Sequence, residues 1–308
     1  MHERVAALLG RPAVTPGQLR TFIAVVANRS VSRAADSLFV SQAAVSSALA
    51  SLQAELGVNL VVRDGRNIAI TDAGMALYGK AVEVIGLLED AARVAKEAGK
   101  RTRRSLRIGA VTTVGEFLLP HWIGGFLAAM PEYDIALEVG NRDRVFDLLA
   151  SHKVDIVIAG RPRSNALFTT VATREHSLVL VGSASGKEPD PAASTWLLRE
   201  EGSGSRQSAL EVLAASGFEV PTMTIGSNVA ILQAASLGIG VAVVSLDSLI
   251  GTGLEFEVNR IEMPGLPISK RWHLVVRSGH EQDVAVQAFI GHLASIGQIA
   301  LSSRDSPG

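Results

Sequence analysis

The 308-residue chain contains no cysteine, which removes disulfides, thiolate metal ligands and cysteine nucleophiles together. It also lacks an excess of either charge, with 29 Lys and Arg against 30 Asp and Glu and a pI near 6.7. Net charge therefore points to no partner, and the local distribution of charge has to decide. Aromatic residues are scarce at 5%, and apolar runs are short. The stretch from Ile239 to Val244 is interrupted by glycine and bounded by serine, far from the roughly 18 residues of a membrane span. The opening "MHERVAALLGRPAVTP" is charged at Glu3 and Arg4 and has no A-x-A-like site, so it does not read as a signal peptide. A cytoplasmic protein with no membrane partner is expected. The seven histidines show no H-x-x-x-H or H-E-x-x-H spacing, so neither a metal site nor a cofactor is expected.

What the chain does have is apolar surface to bury. Hydrophobic residues make up 47% and mean hydropathy is +0.28, which implies a globular protein. Its length implies two domains, since single cores rarely grow past about 250 to 300 residues.

Thr15-Pro16-Gly17-Gln18 reads as a helix start, with Thr as N-cap, Pro at the first helical position and Gln closing a capping box. Leu19, Phe22, Ile23 and Val26 follow at i, i+3, i+4 and i+7. Ser30 caps a second helix, with Val31, Ala34, Ala35 and Leu38 on one face, and Ser41 caps a third, with Val45, Leu49, Leu52 and Leu56. This spacing predicts a helix-turn-helix. In "NLVVRDGRNIAIT", Asp64-Gly65 between two β-rich runs predicts a hairpin wing with its turn at those two residues. Thr71 then opens a long helix in which Leu77, Ala81, Val84 and Leu88 alternate spacings of four and three. That seam suits either pairing with a second helix or packing on its own domain. Gly99 and the cluster Lys100, Arg101, Arg103 and Arg104 predict a solvated hinge.

From Leu106, strands and helices alternate through "LRIGAV", a helix around 117–130, "IALEVG", a helix around 144–150 and "VDIVIAG". That order predicts a parallel sheet with helices on its faces. Residues 160–164 read as a crossover into a second series that begins at "LVLVGS", and "RWHLVVR" with a last helix around 281–296 would return to the first. The expected organisation is an extension at 1–14, a winged helix-turn-helix at 15–74, a linker helix at 72–98 and a hinge at 99–105. An α/β domain follows at 106–300, with subdomain I at 106–161 and 268–300 and subdomain II at 162–267. The fold class is α/β with an N-terminal module rich in helix.

"LRTFIAVV", "SVSRAADSLFVSQAAVS", "LQAELGVNLVVRDGR" and "ITDAG" occur in the order and spacing of the LysR-type transcriptional regulators, and the chain resembles that family over nearly its whole length. "LRIGAVTTVGEFLLP", "REEGSGSR" and "SNVAILQAASLGIGVAVV" resemble the family's effector domain. The resemblance implies a periplasmic-binding-protein-like domain of two subdomains with a ligand cleft between them. It also implies a homodimer built on the linker helix, assembled as a homotetramer on an interrupted inverted repeat of double-stranded DNA, with RNA polymerase as a further partner if the protein activates. Family members often carry Pro, Arg and basic residues where this chain has Ala43, Ser47, Ala50 and Ser51.

The third helix is therefore neutral where a groove-entering helix is commonly basic. Ser41, Gln42, Ser46 and Ser47 can hydrogen-bond bases or phosphates, and Arg33, Arg63 and Arg66 can supply positive charge, with Thr71 at the edge of the wing. For the effector, three helix starts qualify: Thr112 and Thr113 in "VTTVG", Ser203, Ser205 and Arg206 in "GSGSRQ", and Ser227 in "GSNVA". Any of these hydroxyls can equally be a plain helix cap, and Arg206 can pair with Glu201 instead of an anion. Arg161 or Arg163 sits at the crossover. The expected ligand is a small anionic metabolite. An enzyme is disfavoured, because no G-x-S-x-G elbow or paired-carboxylate motif occurs and "GSGSRQS" lacks the lysine of a phosphate-binding P-loop. A solute-binding protein with a degenerate helix-turn-helix is the third class.

Overall fold

A computed structural model of the chain describes residues 14–64, 67–98, 103–162, 167–253 and 257–302. They divide into two compact units, 1–99 with 150–152 and 100–149 with 153–308.

In the first unit, α1 (Pro16–Asn28), α2 (Val31–Leu38) and α3 (Gln42–Leu56) start at the predicted caps. Thr15 Oγ1 accepts from the Gln18 amide at 3.3 Å and Gln18 Oε1 from the Thr15 amide at 2.8 Å, which closes the capping box. Phe22, Val25, Ala34, Ala35, Val45, Leu49, Leu52 and Leu60 form one buried core. The small Ala34-Ala35 pair lets the helices approach. Strands β1 (Val61–Asp64) and β2 (Asn67–Ile70) pair from Val61↔Ile70 to Asp64↔Asn67. Asp64 therefore belongs to the ladder and not to the turn, contrary to the sequence expectation, because a two-residue loop between paired ends leaves only 65–66. Helix α4 runs over Asp72–Ala98.

The second unit is an α/β domain. Strand β3 (Arg104–Val111) pairs in parallel with β4 (Tyr133–Gly140) and β5 (Ile156–Ala159). Between β3 and β4 the chain forms two helices, α5 (Thr112–Phe117) and α6 (Leu119–Ala129), instead of one around 117–130. Helix α7 (Arg142–Ala150) leads to β5. Strand β6 (Phe168–Ser183) is 16 residues long. It is followed by β7 (Trp196–Leu198), α8 (Gly204–Ser216), β8 (Thr222–Thr224), α9 (Asn228–Ser236), β9 (Val241–Ser245), α10 (Leu246–Thr252) and β10 (Val258–Ile261). Strand β11 (Ile268–Arg277), α11 (Val284–Ser295) and β12 (Ala300–Leu301) complete the domain.

The sheet order is β4-β3-β5-β11-β6-β9-β7-β8, with β10 and β12 also on β6. The lower part of β6 pairs with β12 at 172–173, and its upper part with β9 and β10 at 178–183. Thus β6 and β11, antiparallel to one another, run through both subdomains. The crossover lies within these strands, and the segment from 168, expected in subdomain II, begins in subdomain I. One core joins the β3 side to α6 and α11 around Trp122, Phe126 and Phe289. Two others sit under α8 and α9 on the opposite faces of β9. No helix among the described residues is long and apolar enough to cross a membrane.

Candidate DNA-binding face and ligand cleft

On α3, Val45, Leu49 and Leu52 point into the core, so the opposite face carries Gln42, Ala43, Ser46, Ser47 and Ala50 in the open. That face presents no charge. Ser41 is exposed but its Oγ accepts from the Ala44 amide at 3.2 Å, so it is first of all a helix cap. Arg33 on α2 and Arg63 on β1 are exposed, and Arg66 lies outside the described residues. Thr71 differs from expectation. Its hydroxyl donates to the Asn59 carbonyl at 2.7 Å and accepts from the Gly74 amide at 3.0 Å, so both functions are spent on starting α4.

The linker seam is likewise split. Ala81 is buried at 1% exposure and Leu77 packs against the same core, because α4 lies on its own module there. Val84 and Leu88 are 43% and 45% exposed, and Leu87 and Val94 extend the open apolar stripe. A partner helix would therefore meet residues from Val84 onward, and Ala81, buried in its own module, is out of its reach.

In the effector domain a cleft of about 810 Å³ opens between the two subdomains, within the usual range for small-molecule sites. Thr112, Thr113, Arg161, Ser203, Ser205 and Arg206 line it, as expected. Ser227 does not. Its Oγ accepts from the Ala230 amide at 3.3 Å, the plain cap at the start of α9. Ser203 is the opposite case, standing at the N-cap position of α8 without a side-chain cap bond, its Oγ 3.1 Å from that of Ser205. Two hydroxyls and the first turn of α8 thus face the cleft together. Arg206 does not pair with Glu201. It donates to the Arg199 carbonyl at 2.7 Å and to Thr224 Oγ1 at 3.3 Å. Arg163 lies outside the described residues.

Several cleft residues were not singled out from the sequence. Arg199 is only 5% exposed, donates to the Glu200 carboxylate at 2.7 Å and also donates to Asn228 Oδ1. Burial alone would raise the Glu200 pKa, but the Arg199 hydrogen bond, a backbone amide and the Arg199 charge together hold the carboxyl below its ordinary value. Asn228, on α9, also donates from Nδ2 to Thr113 Oγ1 at 3.4 Å and to Glu116 Oε2 at 3.3 Å, both on α5. It ties one subdomain to the other. Arg142 donates to the Arg161 carbonyl at 2.5 Å.

Where β6 and β11 cross, His176 stacks flat on Trp272 at 3.8 Å between ring centroids. Burial pushes His176 down to about 4, with Arg174 and Lys270 acting the same way and Asp247 opposing. His273 is also lowered, by burial and then by Arg161 and Arg271. Asp247, in the first turn of α10, accepts from Arg174 of β6 at 2.9 Å and from the Trp272 indole of β11 at 3.1 Å. It joins both crossing strands.

Six cationic side chains (Arg142, Arg161, Arg199, Arg206, Lys270, Arg271) and three carboxylates (Asp143, Glu200, Glu201) line the cleft. A helix-turn-helix on a long helix, in one chain with a two-subdomain domain around a cationic cleft, defines a DNA-binding protein that responds to a small molecule.

The comparisons agree. The family model described as bacterial regulatory helix-turn-helix protein, lysR family, matches residues 16–75, and the LysR substrate binding domain matches residues 99–297. The RuBisCO operon transcriptional regulator of Allochromatium vinosum is 31% identical, covering 88% of this chain and 93% of that protein. Among solved structures, full-length CbnR complexed with its target DNA aligns with a TM-score of 0.58 at 20% identity, covering 92% of this chain and 99% of that one. The regulatory domain of CcmR from Synechocystis PCC6803 in complex with 2-PG aligns at 0.56 and 24% identity, covering 62% and 96%. The chain belongs to the LysR family of bacterial transcriptional regulators, and it is a regulator and not an enzyme.

Proposed function

We propose that the protein binds an interrupted inverted repeat of double-stranded DNA as a tetramer of two dimers, and that a small anionic metabolite in the cleft closes the subdomains and changes the angle between dimers. Two-fold protein symmetry matches such a site. Cytoplasmic action, and contact with RNA polymerase when the protein activates, belong to the same reading. The observation that carries the ligand class is the cationic lining together with the hydroxyls of Ser203 and Ser205 at the first turn of α8, which bond to one another and leave the helix amides uncapped by Ser203. Amide groups at a helix start and nearby guanidinium groups favour negative charge. The regulatory domain of CcmR, a solved structure of similar fold in complex with 2-PG, supports a small-molecule ligand for this domain.

The test is calorimetry of the full-length protein with a panel of carboxylates, sugar phosphates and sulfate esters, followed by footprinting on its own upstream DNA with and without the ligand that binds. Saturable binding by at least one anion, with an altered footprint, is expected. Binding of none of them overturns the ligand class. Absence of a protected repeat at low salt overturns the operator reading.

A further inference from the structure

The turn between α2 and α3 leaves an aromatic ring in water. Phe39 is 96% exposed and Val40 beside it 48%. Phe39 is the C-cap of α2, at φ 56 and ψ 41, with its amide bonded to the Ala35 and Asp36 carbonyls. That left-handed position is ordinarily glycine or asparagine. This chain does use glycine at the equivalent caps of α3, α8 and α10, where Gly57, Gly217 and Gly253 have φ of 68, 69 and 69. At Phe39, as at Arg29 on the C-cap of α1 with φ 50, it instead accepts an unfavourable backbone, and at Phe39 an unburied ring as well. Neither serves the fold, since Phe39 is outside the module's core.

The ring stands beside the start of α3 along the chain. Two residues on, Ser41 caps α3, and the open side chains that follow are Gln42, Ala43, Ser46 and Ser47, none of them charged. In a helix-turn-helix the start of the second helix meets base edges. There an apolar group can read the thymine methyl or pack on deoxyribose. We propose that Phe39, backed by Val40, makes an apolar contact with DNA at the entrance of α3, supplying there the attachment that charge does not supply. The proposal rests on the DNA-binding reading of this module. It also explains how a neutral α3 holds a duplex: attraction comes from Arg33 and Arg63 around it, and fit from a ring beside its first turn.

The experiment uses the full-length protein and duplexes that it selects from a random-sequence library. Phe39→Asn and Phe39→Gly suit the left-handed cap, so their melting temperatures should equal or exceed that of the unaltered protein. Both should bind the selected duplex about tenfold more weakly, the scale expected for loss of a buried aromatic contact. The slope of log affinity against log salt should not change, since no phosphate charge is involved. Phe39→Leu, which keeps an apolar side chain, should retain most of the affinity. Replacing thymine by uracil in the selected duplex separates the two sources. Weaker binding by the unaltered protein but not by Phe39→Asn assigns the contact to a methyl group, and no effect on either, with the Phe39→Asn loss intact, assigns it to the sugar.

Folded Phe39→Asn with undiminished affinity overturns the proposal. With it, lost promoter transcription would assign the ring to RNA polymerase, and a lower mass by light scattering would assign it to a second copy. Failure of the unaltered protein to select any duplex would mark failure of the DNA-binding reading itself, separable from these outcomes.

Discussion

Burial in the cleft holds the His176 pKa near about 4, against an ordinary 6.5, and this ties the stability of the effector domain to pH. Between those values the unfolded chain takes up a proton that the folded chain excludes. The contribution is complete above pH 6.5 and is lost as pH falls toward 4, on the order of 3 kcal/mol at most. Denaturant unfolding at a series of pH values should show this decline, and His176→Gln should flatten it. An unchanged pH slope in His176→Gln would show that other groups set it. Residues on the DNA side separate by role. Gln42→Ala should weaken binding to the specific duplex more than to random duplex, whereas Arg63→Ala should weaken both and reduce the salt slope by about 1. Gel-shift titrations at several salt concentrations check both. The sequence made the open face of α3 legible because Val45, Leu49 and Leu52 recur at helical spacing and leave Gln42, Ser46 and Ser47 opposite. It did not separate Ser203 from Ser227, since both precede helices and only the folded chain shows which hydroxyl is spent on an amide.

Among the elements, α4 and the crossing strands carry the main consequences. Val84→Lys should lower the oligomer mass by light scattering and lower DNA affinity with the module still folded. Ala81→Lys should instead unfold the module, because it buries a charge at a site only 1% exposed. Equal behaviour of the two would refute the division of the seam. At the crossing of β6 and β11, Asp247→Ala leaves Arg174 without the carboxylate and the Trp272 indole without its acceptor. About 3 kcal/mol of stability should be lost, read by chemical denaturation. Strand β6 was legible only in its second half. Residues 178–181 are apolar and buried, whereas 168–177 are mostly half-buried and polar, so their composition does not announce a strand. They are held by pairing with β11 and β12, partners about 100 or more positions away along the chain.

At the scale of the whole molecule, two units with separate cores should unfold in two calorimetric transitions. An anion that binds the cleft should raise only the transition of the effector domain, by mass action on its folded state. A shift of the DNA module's transition alone would place the ligand elsewhere. The division into a helix-turn-helix, a long helix and an α/β domain was determined by the sequence alone. Its signals are local: caps reach three residues along the chain, apolar residues recur at i, i+3 and i+4, and strand and helix patterns alternate in order. The cleft was decided by tertiary structure. Asn228 meets Thr113 across 115 positions and Trp272 meets Asp247 across 25, and the burial that lowers His176 comes from the strands crossing around it. Hydrogen-bond geometry and desolvation depend on which distant segments the fold packs together, and no local pattern in the chain encodes that juxtaposition.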